Sequence, residues 1–209
     1  MKNAACCRMQ CEAVAEQLLN SLQNKHSYSY QHCLAVERYA WILALQISPA
    51  WTWENGAALK LGARLHDIGK LRIDNAILDG TGKLTDEEFA QIKTHPRSGV
   101  EILMETGVDF PEVVYEPILC HHMAFDRKAV GYPIDFWGED IPLAARIVAV
   151  ADIFDALTTK RSYKPALSFG ESAGILLAEA GKKLDPFLVQ VFVHETIPYM
   201  LWNQESADS

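Results

Sequence analysis

The chain has 209 residues, 49% of them hydrophobic and 22% charged, which suits a single domain with a sizeable core and argues against disorder. A formal net charge of −8 argues against a grip on DNA, although bound cations can reverse the field locally for a small anionic ligand. No apolar run reaches the roughly 18–20 residues of a membrane helix and no secretory segment opens the sequence, so a cytoplasmic protein without membrane contact is expected.

Strand signals are nearly absent and helical spacing recurs, which makes the expected fold all-α. A polar-faced helix is predicted from Glu12 to Leu22. The nearby Cys6, Cys7 and Cys11 read as free thiols, since no fourth ligand for a structural metal lies close to them. From Gln31 to Gln46, residues Leu34, Ala35, Tyr39, Ile42 and Leu43 form an apolar stripe that Pro49 closes. A third helix is predicted from Trp53 or Glu54 to about His66, with Gly69 near its end. Thr85-Asp86-Glu87-Glu88 has the form of a helix start with an acidic first turn, and Pro96, Pro111 and Pro142 mark further starts. Pro117 either kinks the helix leading to His121 or begins it.

Between His122 and Ile141 lies the longest irregular stretch, rich in aromatics and charge, as functional loops often are. Ala144 to Thr158 is a strongly apolar helix, Ser168 to Ala180 an amphipathic one, and Asp185-Pro186 opens the last long helix. The tail from Asn203 to Ser209 is polar and expected to fray. The predicted organisation is an N-terminal helical extension over 1–27, one bundle domain over 28–200 and a polar tail over 201–209. The extension is too short to fold as a regulator, but it can serve as a dimerising helix, which makes a homodimer a candidate assembly.

Seven histidines are spread along the chain, and the grouping of several with acids matters more than any one of them. His66-Asp67 is an adjacent imidazole–carboxylate pair, and His121-His122 an adjacent imidazole pair. Asp152 and Asp155 share one face of an otherwise apolar helix, where an acid needs a cation. Imidazole and carboxylate without thiolate suit Fe, Mn, Co, Ni or Zn in an open site rather than a structural zinc cage. Six or seven such donors are too many for one ion with an open position; they suit two ions about 3.5–4 Å apart that share an aspartate. Lys70, one helical turn beyond His66 and Asp67, is poorly suited to metal but well suited to a phosphate oxygen.

These residues, in this order, resemble the HD superfamily of metal-dependent phosphohydrolases, and within it the HD-GYP branch. The likeness rests on His66-Asp67-Ile68-Gly69-Lys70, Lys93-Thr94-His95-Pro96, Cys120-His121-His122, Gly131-Tyr132-Pro133 and the run from Val150 to Thr158, and it covers roughly residues 28 to 193. The resemblance implies a single-domain helical bundle with a central two-metal site that hydrolyses cyclic di-GMP, to linear pGpG or on to GMP, through a hydroxide activated by two divalent ions. Those ions would be iron, with manganese as the other candidate. By the same resemblance His32, His66, Asp67, His95, His121, His122 and Asp152 are metal ligands. Asp67, and on the same reading Asp152, would lie between the ions.

Members with three metals carry a glutamate four residues before the first of these histidines. The position here is Tyr28, which implies two. The resemblance makes Lys70, Asp67 and Asp155 catalytic, with Asp155 orienting Lys70 or a water. Arg161 and Lys164 are assigned to the second phosphate, and an aromatic such as Tyr132 or Phe125 to a guanine. A related cyclic dinucleotide, or a diguanylate cyclase domain docked on the Gly-Tyr-Pro loop, is a further implied partner.

The chain departs from the family's pattern in the loop. Members commonly follow the paired histidines with glutamate and a short glycine-containing turn. Here Met123 replaces the glutamate, the first loop glycine is lost and the stretch is about two residues longer. A non-catalytic metal-containing cyclic dinucleotide receptor or docking module, or a phosphohydrolase acting on another nucleotide, are therefore the alternative readings.

Overall fold

In the computed structural model, which describes residues 4–160 and 165–207, helices follow one another and no strand forms among the described residues. Helix α1 (Ala4–Lys25) is followed by α2 (Ser27–Ile47) and α3 (Pro49–Leu65), then by a 3-10 turn over Ile68–Arg72. Two short helices, α4 (Asn75–Leu78) and α5 (Asp86–Ile92), lead to α6 (His95–Glu105) and α7 (Glu112–Cys120). After the long loop come α8 (Leu143–Thr158), α9 (Phe169–Glu179), α10 (Pro186–Val191), a π turn over Phe192–Thr196 and α11 (Ile197–Ala207). Among the described residues, no helix is long and apolar enough to cross a membrane.

The helix boundaries follow from their caps. The Thr85 and Glu88 side chains bond each other's backbone amides, and Ser168 with Glu171 repeats this capping box at the start of α9. Asp185 accepts from the amides of Phe187 and Leu188, and it also pairs with Arg146 at 2.5 Å, which fastens the start of α10 to α8. The third helix begins earlier than predicted. The Ser48 hydroxyl accepts from the Trp51 amide and Pro49 takes the first position, so the proline that ends α2 also opens α3. Pro117 sits inside α7 and does not begin it. The predicted polar tail is helical as far as Ala207.

Two large apolar clusters hold the bundle, and a small third one gathers Cys120, Met123, Ile141 and Ala145. The first joins α2, α3, α8 and the C-terminal helices, with Phe154 edge-on to Tyr39, Phe169 and Phe192 at centroid distances of 5.1, 5.0 and 4.9 Å. Each such pair adds about 0.5–1.5 kcal/mol beyond the area it buries. The second joins Leu19 and Leu22 of α1 to Leu61, Leu65, Ile68, Leu103 and Ile118. The donor-bearing segments border both clusters: Ala151 belongs to the first, and Cys33, Leu65 and Ile68 to the second.

Candidate metal centre

Five segments deliver the donors. His32 comes from the second turn of α2, His66 and Asp67 from the end of α3, His95 from the first position of α6, His121 and His122 from just past α7, and Asp152 from the middle of α8. His32, His66 and Asp67 form one group of three donors, and His95, His121 and His122 another; within each, the ligating atoms lie within 4.8 Å of one another. Asp67 faces both groups. Its Oδ1 stands 3.3 Å from His95 Nε2, while its Oδ2 stands 3.8 Å from His32 Nε2 and 3.6 Å from His66 Nε2. Asp152 adjoins the first group, with Oδ1 3.0 Å from His32 Nε2.

The backbone fixes which ring nitrogen faces the centre. His66 Nδ1 lies 2.8 Å from the Ala63 carbonyl, His95 Nδ1 2.8 Å from that of Ile92 and His121 Nδ1 2.6 Å from that of Pro117. A carbonyl only accepts, so each Nδ1 carries the proton and each Nε2 offers a lone pair inward. His95 Nε2 and His121 Nε2 then face each other at 3.2 Å with no proton to share. His66 Nε2 is buried with no hydrogen-bond partner. Lone pairs held together in this way are costly without a cation, and the absence of thiolate from both groups selects a divalent ion of intermediate or hard character. The residues fit such a metal.

Charge states agree with that chemistry. Burial pushes His95 and His121 down to about 4 and lowers His66 and His122 too, so these rings are neutral donors near pH 7. In His32 burial opposes the charge, but hydrogen bonds to Asp152 and Asp155 outweigh it and raise the ring to about 9. Burial works against the Asp67 carboxylate as well. The Lys70 ammonium and the surrounding imidazoles nevertheless hold it well below the usual range. Asp152 is held low despite its burial by the hydrogen bond and charge of His32.

The remaining predicted residues fall in three places. Lys70 reaches the site, with its Nζ 2.5 Å from Asp67 Oδ2. Tyr132 lies over the second group, its ring 4.7 Å from that of His122 and 6.5 Å from that of His95. Asp155 does not meet Lys70: its Oδ2 accepts from His32 Nδ1 at 2.6 Å and its Oδ1 from the Thr159 hydroxyl at 3.0 Å. Its turn of α8 faces α2, so it orients a donor. Arg161 and Lys164 lie outside the described residues. Tyr28 stacks its ring on His32, 4° from parallel.

Met123 points into an apolar cluster with Cys120, Ile141 and Ala145, away from the donors. One residue was missed: Arg97, two positions after His95, donates from Nη2 to the Pro133 carbonyl at 3.0 Å. Its signal was present, a cation in the first turn of a helix that opens on a candidate ligand.

Residues 14–188 match the HD domain family. The chain is an HD domain of the HD-GYP branch. A Vibrio cholerae protein named cyclic di-GMP phosphodiesterase is 41% identical over 136 residues, covering 63% of this chain and 27% of that protein. Another from Vibrio cholerae, named 3'3'-cGAMP-specific phosphodiesterase 2, is 38% identical over 135 residues, covering 65% of this chain and 26% of that protein. This HD domain therefore spans about a quarter of the length of these curated relatives. An HDG"Y"P protein from Bdellovibrio bacteriovorus shares the fold, with a TM-score of 0.66 at 20% identity over 91% of this chain and 63% of that one. Membership of the HD domain family implies divalent-metal binding, and the two His/Asp groups fit it.

Proposed function

We propose that this HD domain is a phosphodiesterase that opens a cyclic dinucleotide, cyclic di-GMP first among them, to linear pGpG or on to GMP. The observation that carries the reading is the pair of donor groups meeting at Asp67, with His66 Nε2 buried and unpartnered between them. Two groups sharing one carboxylate suit two divalent ions, for which iron is the proposed identity and manganese the alternative. The names of the curated relatives support the substrate class.

When bound, such ions supply Lewis-acid polarisation of a phosphodiester and lower the pKa of water. The chain's own residues do the rest. The neutral imidazoles of His66, His95, His121 and His122 and two ionised aspartates would hold the ions without bringing protons to them, whereas His32, raised to about 9, must release its Nε2 proton to join them. Asp155 keeps the His32 ring in its orientation through Nδ1. The Lys70 ammonium, with its side chain 23% exposed, stands beside Asp67 where a non-bridging phosphate oxygen can reach it. Tyr132 offers a ring face at the rim for a nucleobase.

The test is chromatography of cyclic di-GMP after incubation with protein loaded with iron under anaerobic conditions, beside a His66→Ala/Asp67→Ala control. Linear dinucleotide or GMP from the unaltered protein alone is the result expected. Intact nucleotide with full metal occupancy would overturn the reading. It would favour the non-catalytic receptor, a reading to which the inward-turned Met123 lends weight. A parallel incubation with 3'3'-cGAMP decides between the two dinucleotides.

A further inference from the structure

The loop that bears Tyr132 is buried at its ends, where Met123 and Ile141 pack with Cys120 of α7 and Ala145 of α8, while few bonds hold its middle. Its first part is pinned elsewhere, with the Phe125 and Asp126 amides donating to the Lys183 and Lys182 carbonyls at 3.2 and 2.7 Å. The Gly138 amide returns to Phe125 and the Tyr132 amide to His122, so these bonds close the loop on itself and on the paired histidines. Val130 at the tip is 92% exposed and Phe136 48%, so the outer side of the Gly-Tyr-Pro turn is uncovered, while Gly131 on its inner side lies against the Ala124 backbone. The bond from Arg97 to the Pro133 carbonyl is different in kind. It spans 36 residues and comes from α6, the helix whose first residue is His95. Tyr132 meets the rings of both His95 and His122, so a tie between α6 and the residue after Tyr132 fixes where its ring stands over the donors.

We infer that Arg97 is a positioning residue that clamps the Tyr132-Pro133 turn to α6 and thereby sets affinity for the nucleobase of the bound dinucleotide. The nucleotide part of this inference rests on the proposed function; the clamp does not. Arginine suits the task because a guanidinium hydrogen bond to a carbonyl is charge-assisted and only one of its five donors is needed. Arg97 is exposed and remote from the core clusters, so its removal leaves the fold intact.

The experiment compares the unaltered chain with Arg97→Ala, Arg97→Lys, Tyr132→Ala and the Arg97→Ala/Tyr132→Ala pair. Amide hydrogen exchange over residues 129–134, without nucleotide, reads the clamp. Exchange should quicken about tenfold in Arg97→Ala and recover in part in Arg97→Lys, while the melting temperature stays put. With cyclic di-GMP, KM should rise about tenfold in Arg97→Ala with kcat near normal, and Tyr132→Ala should absorb that effect in the double variant. Unchanged exchange, or losses that add in the double variant, would overturn the inference. An unaltered chain that neither binds nor cleaves a cyclic dinucleotide would sink the proposed function instead, and the exchange measurement would still decide the clamp.

Discussion

The donor cradle and the loop over residues 122–141 are neighbours built on opposite principles. In the cradle, the backbone that ends each helix turns the side chain that follows. Carbonyls of Ala63, Ile92 and Pro117 orient His66, His95 and His121, and the two large apolar clusters keep those helix ends still. The loop is anchored at its two ends, where Met123 and Ile141 are buried in a small apolar cluster, and its exposed tip contributes almost nothing to the core. The chemistry of metal binding needs sub-ångström placement and so belongs on packed helices, whereas choice of ligand tolerates variation and can sit on a loop. The largest departure from the family's pattern falls in the loop, which agrees with that division, and the other, Leu184 where members commonly carry phenylalanine, keeps an apolar residue in the core.

The comparison breaks most severely at Gly69. A Cβ there would stand 1.9 Å from the His95 carbonyl oxygen and 2.7 Å from the Gly99 amide nitrogen, both backbone atoms of α6. Gly69→Ala must therefore drive the 3-10 turn and α6 apart, separating Asp67 from His95. The expected cost is about 3 kcal/mol or more in urea denaturation, with metal content falling below one ion per chain. A variant of ordinary stability and full metal content would show that the cradle is more yielding than its packing implies.

Next in size is Lys70→Ala. Lys70 touches Asp67 but offers no lone pair to a metal, so turnover should fall about 10²-fold while metal content by elemental analysis stays near normal. Unaltered turnover would remove Lys70 from the chemistry. Asp155→Asn is milder still. The amide can accept from His32 Nδ1 but no longer supports the ring's basicity, so metal affinity should weaken about 10–100-fold in competition titrations, with Lys70-dependent steps untouched at saturating metal.

How much of this was legible depends on the range of the signal. The capping boxes at Thr85 and Ser168 and the Asp185-Pro186 start lie within four residues of what they control, and the sequence reads them directly. The shared face of Asp152 and Asp155 was legible for the same reason. What each acid meets was not: His32 lies 123 residues from Asp155, and only packing of α2 on α8 joins them. The early start of α3 was hidden because Pro49 also satisfied the expectation of an ending. Arg97 was overlooked because its partner is a backbone carbonyl, which has no identity in sequence.

The smallest effect gives the sharpest comparison, because it repeats the first substitution in the other region. A Cβ on Gly131 would stand 2.5 Å from the Ala124 amide nitrogen and 3.1 Å from Met123 Cα, again backbone atoms. The local crowding resembles that at Gly69, but the surroundings can move. Residues 129–133 are exposed or half-buried and carry no metal donor, so the turn can lift away from Ala124 by giving up the Tyr132 amide bond to the His122 carbonyl. Gly131→Ala should therefore cost about 1–2 kcal/mol, well short of Gly69→Ala, and leave metal content and kcat near normal. KM should rise a few-fold, about what one weakened contact to the ligand is worth, as Tyr132 is displaced from the rings of His122 and His95. If Gly131→Ala instead lost metal as Gly69→Ala is expected to, loop and cradle would be one mechanical unit and the division between them would fail.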